Sequence, residues 1–304
     1  DYRTPNALAE AWRAGGAAIC LPSITLSEWS FEEPRFVFVD EIAQVLRFLT
    51  AREFCRTRDA TAAGVFDRLV EIIRNAEGVL CADAGVDDTV IDFLRFCRPG
   101  ETIRVIEMRD PADAGITATV WAGSDAQRAR AVDACAEELA AGGNVWVAVE
   151  GANLARDVGA YLAGFCGGSD AVLVLTADTK MDAREAAFFA DPEAVSRRYR
   201  AIVASPVVSS GLSVEHRNNE HFTLGAFLGS GLAIEPADAA QMLRRVRYLR
   251  RFVIGLSVNN KLGGETAQAI LDGRVAAAAA EGAPVFAGSF DRLVAGFQAR
   301  SVNL

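Results

Sequence analysis

The sequence predicts an α/β protein made of two units, each built on a parallel sheet. Three observations carry this. Short apolar runs of strand length recur without polar alternation, and almost every run is followed by a stretch with apolar residues at helical spacing. A polar break at Asp110, Pro111 and Asp113 divides the series in two. The chain has 304 residues, 51% hydrophobic and 23% charged, enough to bury two cores.

In the first series, Arg35 to Val39 (RFVFV) reads as a strand. Ile42, Val45, Leu46 and Leu49 then follow a helical period. Gly78 to Cys81 (GVLC) reads as a second strand. Val90, Phe93, Leu94 and Cys97 mark a helix that Pro99-Gly100 stops. Thr102 to Met108 and Ile116 to Trp121 read as further strands on either side of the break.

The second series is more regular. Ala126 to Ala141 is a helix ended by Gly142-Gly143, and Asn144 to Val149 is a buried strand. Asn153 to Phe165 is helical, Ala171 to Thr176 a strand, and Asp182 to Tyr199 one long helix. Ala201 to Ala204 and Phe222 to Leu228 are strands, Pro236 to Leu249 a helix, and Phe252 to Leu256 a last strand. The remainder reads as mostly helical.

Composition excludes several classes. The balance rules out disorder and fibrous repeats. No apolar run approaches the ~20 residues that span a bilayer, so no membrane partner is expected. No basic-then-apolar leader is visible, and a cytoplasmic location is expected. The chain starts at Asp1 rather than Met, the expected mark of a processed chain or a piece of a longer one. A net charge of −9 argues against a polybasic nucleic-acid binder, though a local arginine stripe could serve. Only Lys180 and Lys261 are lysines. The six cysteines (20, 55, 81, 97, 135, 166) show no CxxC spacing and read as reduced core residues rather than a zinc cluster.

Three motifs could carry chemistry. The run Val37-Phe38-Val39-Asp40-Glu41 delivers two acids at the carboxyl end of a strand. Ligands bind there in parallel sheets. In P-loop NTPases the first such acid holds magnesium and the second positions the attacking water. An ordinary acidic helix start would have the same residues. The second motif is Gln241-Met242-Leu243-Arg244-Arg245-Val246-Arg247. On a helix, Met242, Leu243, Val246 and Leu249 share one arc, leaving Gln241, Arg244, Arg245 and Arg247 outside it. Such arginines could stabilise a transferring phosphoryl group or simply face solvent. The third motif, Ala204 to Val214, runs from a strand into a loop of small and hydroxyl residues. Gly211 there permits a tight turn or close approach to a ligand. His216 and His221, with Glu215 and Glu220, read as a solvated loop before a metal site. Asp83, Asp87 and Asp88 match a calcium loop only loosely.

The ordered set resembles motifs II, V and VI of superfamily 2 helicases. VFVDEIAQVLRFL resembles the acidic motif of plasmid replication proteins of the primase–helicase type, and it is similar to that of the herpesvirus origin-binding-protein helicases. Cys81-Ala82-Asp83-Ala84 would match motif III, SPVVSSGLSVE motif V and QMLRRVR motif VI. The resemblance covers roughly residues 19 to 256. It implies two RecA-like parallel-sheet domains. The first, 1–113, would lack its P-loop segment; the second, 114–304, would carry a helical extension. ATP and Mg2+ would be the cofactors. Asp40 would hold magnesium, and Glu41 would act on water. Gln241, Arg245 and Arg247 would belong to the ATP site, with Arg245 favoured over Arg247 as the catalytic arginine. Gly211 would approach the cofactor. Ser209, Ser210 and Ser213 would contact single-stranded or forked DNA.

One departure is large. No GxxxxGK[ST] occurs anywhere in the 304 residues. The expectation is a helicase portion whose P-loop lies upstream, with a primase domain as a further partner. The chain alone should then hydrolyse ATP negligibly. Two alternatives stand beside this: a non-catalytic helicase-like scaffold that docks DNA or protein, and an unrelated Rossmann-like enzyme acting on a sugar nucleotide.

Overall fold

The computed structural model describes residues 15–16, 18–25, 34–50, 61–83, 85–107, 115–208, 212–217, 221–230, 234 and 236–257, with a few positions between 268 and 276. These fall into two compact units, one within residues 1–106 and one within 107–264; the positions between 268 and 276 go with the first.

In the first unit, β1 (Phe36–Asp40) and β2 (Gly78–Ala82) form a two-stranded parallel sheet, with Phe36 opposite Gly78 and Asp40 opposite Ala82. Three helices follow the apolar spacing: α1 (Ile42–Thr50), α2 (Ala62–Asn75) and α3 (Asp88–Cys97). Ile42, Leu46 and Leu49 of α1 pack with Val65, Phe66, Leu69 and Ile73 of α2, Val90 and Phe93 of α3, and Val39 of β1. Burying each large aliphatic chain contributes about 1.5–3 kcal/mol. Thr61 caps α2 by accepting from the Gly64 N–H, and Asp87 caps α3 by accepting from Thr89 and Val90.

The expected cover on both faces is not what this unit shows among its described residues. The helical core lies on the Val37 and Val39 side, while Phe36, Phe38 and Leu80 are 74%, 61% and 64% exposed. The strand expected at 102–108 is also absent over 102–107, which carries no regular structure; Val105 and Ile106 point into solvent. Apolar composition alone does not make a strand where no neighbour supplies hydrogen bonds.

The second unit is a six-stranded, wholly parallel sheet in the order β3-β8-β7-β4-β6-β5. The strands are β3 (Thr117–Ala122), β4 (Val145–Val149), β5 (Val172–Leu175), β6 (Ala201–Ala204), β7 (Leu224–Gly229) and β8 (Arg251–Leu256). The helices are α4 (Asp125–Ala140), α5 (Ala152–Cys166), α6 (Ala183–Ala190), α7 (Pro192–Ser196) and α8 (Pro236–Leu243). Helices α4 and α5 cover one face, with Cys135, Leu139, Val158 and Leu162 on Val145, Val147, Val203 and Ala226. Helices α6, α7 and α8 cover the other, with Phe188, Val195 and Met242 against Trp146, Leu173, Ile202 and Phe252. All five residues of β4 are buried, which is why that segment is apolar without alternation.

Two helices are shorter than the spacing predicts. The stretch 182–199 breaks at Asp191: Pro192 cannot continue a helix but suits its first turn, and Asp191 caps the new one by accepting from Ala194 N–H. Helix α8 ends at Leu243 instead of Leu249. Beyond it the backbone turns to residue 214: Val214 N–H donates to Arg245 O at 2.7 Å, and Arg247 N–H donates to Val214 O at 3.0 Å. Those bonds replace the helical ones. Met242, Leu243, Val246 and Leu249 are nevertheless buried as expected. The C-terminal segment expected to be helical lies almost wholly outside the described residues.

Candidate functional site

In the first unit, two acids stand at the carboxyl end of β1. Asp40 ends the strand and is exposed; Glu41 is half-buried. Glu41 has φ of 53°, the one non-glycine left-handed residue among those described. Such a conformation costs roughly 1–3 kcal/mol and persists only where neighbours impose it. Here the chain passes from strand to helix within one residue.

The helix start is held from across the sheet. Asp83, just past β2, accepts the Ala43 N–H on Oδ2 at 2.7 Å and the Gly85 N–H on Oδ1 at 2.6 Å. Ala43 N–H is one of the donors a helix leaves without an internal partner at its start. The Asp40–Glu41 turn and the 81–83 stretch are thus mechanically joined. The loose calcium-loop reading fails for a simple reason: Asp83 and Asp87 are occupied with backbone N–H groups.

In the second unit, the third and second sequence motifs meet. Val214 pairs with Val246 as an isolated parallel bridge. Arg245 Nη1 donates to the Leu212 carbonyl at 3.0 Å, and Arg247 Nε donates to Ser213 Oγ at 3.2 Å. Arg245 is half-buried, whereas Arg247 is exposed. Gln241 lies half-buried on α8, and its Oε1 accepts no hydrogen bond among the described residues. Ser209, Ser210 and Gly211 lie outside the described residues. Because α8 ends early, Arg245 and Arg247 are not on one regular helix, and a helical-wheel choice between them does not apply.

Beside this seam is an open cleft of about 550 Å³ lined by Glu193, Arg197, Ser213, Glu215 and Arg217. Glu193 Oε2 accepts the Glu215 N–H at 2.8 Å, and Glu193 Oε1 pairs with Arg197 at 3.3 Å. The sequence reading missed Glu193, Arg197 and Arg217, because nothing in their spacing links α7 to residues 213–217. It also missed Glu150. At the carboxyl end of β4, Glu150 Oε2 accepts both the N–H and the hydroxyl of Ser230, each at 2.7 Å. The chain leaves β4 toward α5 but leaves neighbouring β6 and β7 toward the other face, the arrangement that opens a crevice at the strand ends. An acid directly after an apolar strand was the available signal, as at Asp40.

The histidines are not a solvated loop. His216 is 1% exposed; its Nε2 lies 3.0 Å from Ser196 Oγ and 3.2 Å from the Glu193 carbonyl. His221 Nε2–H donates to the Tyr199 carbonyl at 2.8 Å, and burial holds its pKa below the usual histidine value. Both rings pack on Phe222. Among the described residues no group of three or more His, Cys, Asp or Glu could hold a metal ion. The described cysteines are all free. Burial pushes the thiols of Cys81 to about 11 and of Cys97 and Cys135 to about 12, so they favour the protonated, weakly nucleophilic form at neutral pH. Among the described residues no helix is long and apolar enough to cross a membrane.

Against magnesium and ATP, the described residues at the end of β1 offer the Asp40 carboxylate with Glu41 beside it, and the sequence holds no GxxxxGK[ST] phosphate loop. These residues fit part of such a site and not a complete nucleotide cradle.

No protein family and no curated protein sequence matches the chain. Among solved structures it is similar to S. cerevisiae Dbp5 bound to RNA and ADP BeF3, with a TM-score of 0.49, 14% identity, and coverage of 79% of this chain and 57% of that one. The DEAD-box helicase Mss116 bound to ssRNA and UDP-BeF gives 0.49, 13%, 84% and 47%. The DUF1998 helicase MrfA bound to DNA gives 0.45, 11%, 75% and 30%. The chain thus spans less than two thirds of each. The likeness is one of outline. It carries no residue's role.

Proposed function

We propose that this chain is the helicase part of a DNA replication protein of the plasmid primase–helicase or origin-binding type. It would couple ATP hydrolysis to movement on DNA when joined to a segment carrying the phosphate loop. The observation that carries this is the seam in the second unit. Two sequence-distant motifs, 212–214 and 245–247, are tied by a backbone bridge and two arginine bonds. In this reading an arginine toward phosphate and Ser213 toward DNA, held in one piece, would move together.

In this reading Asp40 lies toward magnesium and Glu41 toward the attacking water. Gln241, Arg245, Arg247 and Gly211 lie toward the ATP phosphates, and Ser209, Ser210 and Ser213 toward DNA. Arg245 is anchored on Leu212 O and Arg247 is exposed, so each needs its own substitution. A replication setting, an attached primase domain and a cytoplasmic location belong to the same reading. The absence of GxxxxGK[ST] favours one other: a non-catalytic scaffold of the same fold.

The test is magnesium-dependent ATPase activity of the 304-residue chain and of the chain extended by the coding sequence upstream of Asp1. The chain alone should show none. The extended chain should be active, and Glu41→Gln should abolish turnover while leaving nucleotide bound. Robust ATPase activity from the 304 residues alone would overturn the assignment of the phosphate site; an inactive extended chain would favour the scaffold.

A further inference from the structure

Helix α8 stops before its apolar spacing runs out. Met242, Leu243, Val246 and Leu249 share one helical arc, yet the helix ends at Leu243. Arg244 N–H still makes a helical bond, to Ala240 O at 2.9 Å; the next donor, Arg245 N–H, reaches only Met242 O, at 3.4 Å. Carbonyls at a helix end need partners from elsewhere. The Met242 carbonyl has one from 96 residues away: the Trp146 indole Nε1–H donates to it at 3.0 Å inside the core.

Trp146 is rigidly placed for this bond. Its backbone lies in β4, opposite Ile202 of β6 and Gly225 of β7. Its side chain is fully buried and meets the Phe222 ring edge-on at 6.0 Å. The indole is therefore fixed to the sheet, and the end of α8 is fixed to the indole. A regular helix would give the Met242 oxygen to Val246 N–H, four residues on. Instead that oxygen serves the indole and Arg245, and Val246 bridges to Val214. From there Arg245 ties to Leu212 O and Arg247 to Ser213 Oγ.

We propose that Trp146 is a positioning residue for the seam: its indole N–H ends α8 at Met242 and selects the pairing of 212–214 with 245–247 over a helix continued to Leu249. Two conformations compete for residues 244–249. The apolar spacing favours the helix, and the buried indole donor favours the seam. Trp146 acts through the Met242 carbonyl and so sets where Arg245, Arg247 and Ser213 stand. Its bearing on DNA rests on the function proposed for the seam; the choice between helix and seam does not.

The test is nuclear magnetic resonance on the full chain, reading amide exchange at Val214 and Cα shifts over 244–249. Val214 N–H donates to Arg245 O in the seam and would lose that acceptor to a continued helix. Trp146→Phe removes the indole N–H and keeps an aromatic ring. Exchange at Val214 should then rise about fivefold, the worth of one net hydrogen bond. The Cα shifts over 244–249 should move toward helical values. Phe222→Leu is the packing control: it trims the ring beside Trp146, keeps the N–H, and should leave both readouts as in the wild type. Should Trp146→Phe lose the native circular dichroism spectrum, benzothienylalanine at position 146, with sulfur where the indole has N–H, keeps the ring size and decides instead. Unchanged Val214 exchange without the indole N–H overturns the proposal. So does an equal rise in Phe222→Leu, which would show that packing alone holds the seam. Single-strand DNA binding by the wild type separates the two claims: no binding overturns the DNA reading and leaves the exchange result to decide the role of Trp146.

Discussion

Replacing Asp83 by alanine should loosen the helix that follows the acidic turn. The wild-type carboxylate accepts two backbone N–H groups, from Ala43 at 2.7 Å and Gly85 at 2.6 Å. Ala43 is buried, so its N–H gains no full replacement from water. Losing a helix-start acceptor costs roughly 0.5–2 kcal/mol, and leaving a buried donor unsatisfied costs about 1–3 kcal/mol. The two describe overlapping losses, so about 2 kcal/mol is expected. That corresponds to roughly 30-fold faster amide exchange over 42–50, where local opening governs exchange. Hydrogen–deuterium exchange followed by mass spectrometry reads this directly. Asp83→Asn keeps one acceptor oxygen and should fall between. Asp87→Ala, which uncaps α3, should speed exchange over 88–97 and leave 42–50 alone. Unchanged exchange over 42–50 in Asp83→Ala would refute the claim that this side chain holds the Asp40–Glu41 turn.

Two further outcomes test the second unit. Gly159 lies inside α5, and a Cβ there would stand 2.4 Å from Val174 Cγ2. Gly159→Ala gains ~1 kcal/mol of helix propensity but meets an overpacking cost of about 1–3 kcal/mol, so a net loss of about 1 kcal/mol should appear as a lower urea midpoint. His221 has a lowered pKa when folded, so the unfolded chain binds its proton first as pH falls. Its contribution is intact above about 6.5 and is lost as pH drops below that toward the folded value. His216 and Arg197 also act on this ring. Between pH 7.5 and pH 5.5, wild-type stability should therefore fall more than that of His221→Gln; equal slopes would sink this.

The strands were legible because each is a short apolar run that ends where the chain must leave a buried sheet. Val145–Val149 and Ala201–Ala204 are the plainest cases. Helix α2 was readable too, from Val65, Phe66, Leu69, Val70 and Ile73 at helical spacing after Thr61, and was overlooked. The break at Asp191-Pro192 was written in the proline. The early end of α8 was not, since it depends on Val214 competing for the backbone of Arg245 and Arg247. The candidate site divides the same way. Asp40 and Glu41 show themselves as acids at a strand end. The Asp83 bond spans 40 residues, and the Ser213–Arg247 bond 34; no local pattern encodes either. Burial of His216 likewise depends on its bond to Ser196, 20 residues earlier, which its own neighbourhood in sequence does not reveal.

Single-strand binding across a salt series is the most direct test of the central claim, that the serines at 209, 210 and 213, next to the seam with 245–247, contact DNA. With a net charge of −9, binding must come from local contacts. Anisotropy with labelled single-stranded DNA should give an affinity of about micromolar or weaker at physiological salt, falling steeply as salt rises. Ser209→Ala and Ser213→Ala should each weaken it further. Tight binding indifferent to salt, or binding unchanged in both variants, would contradict the account.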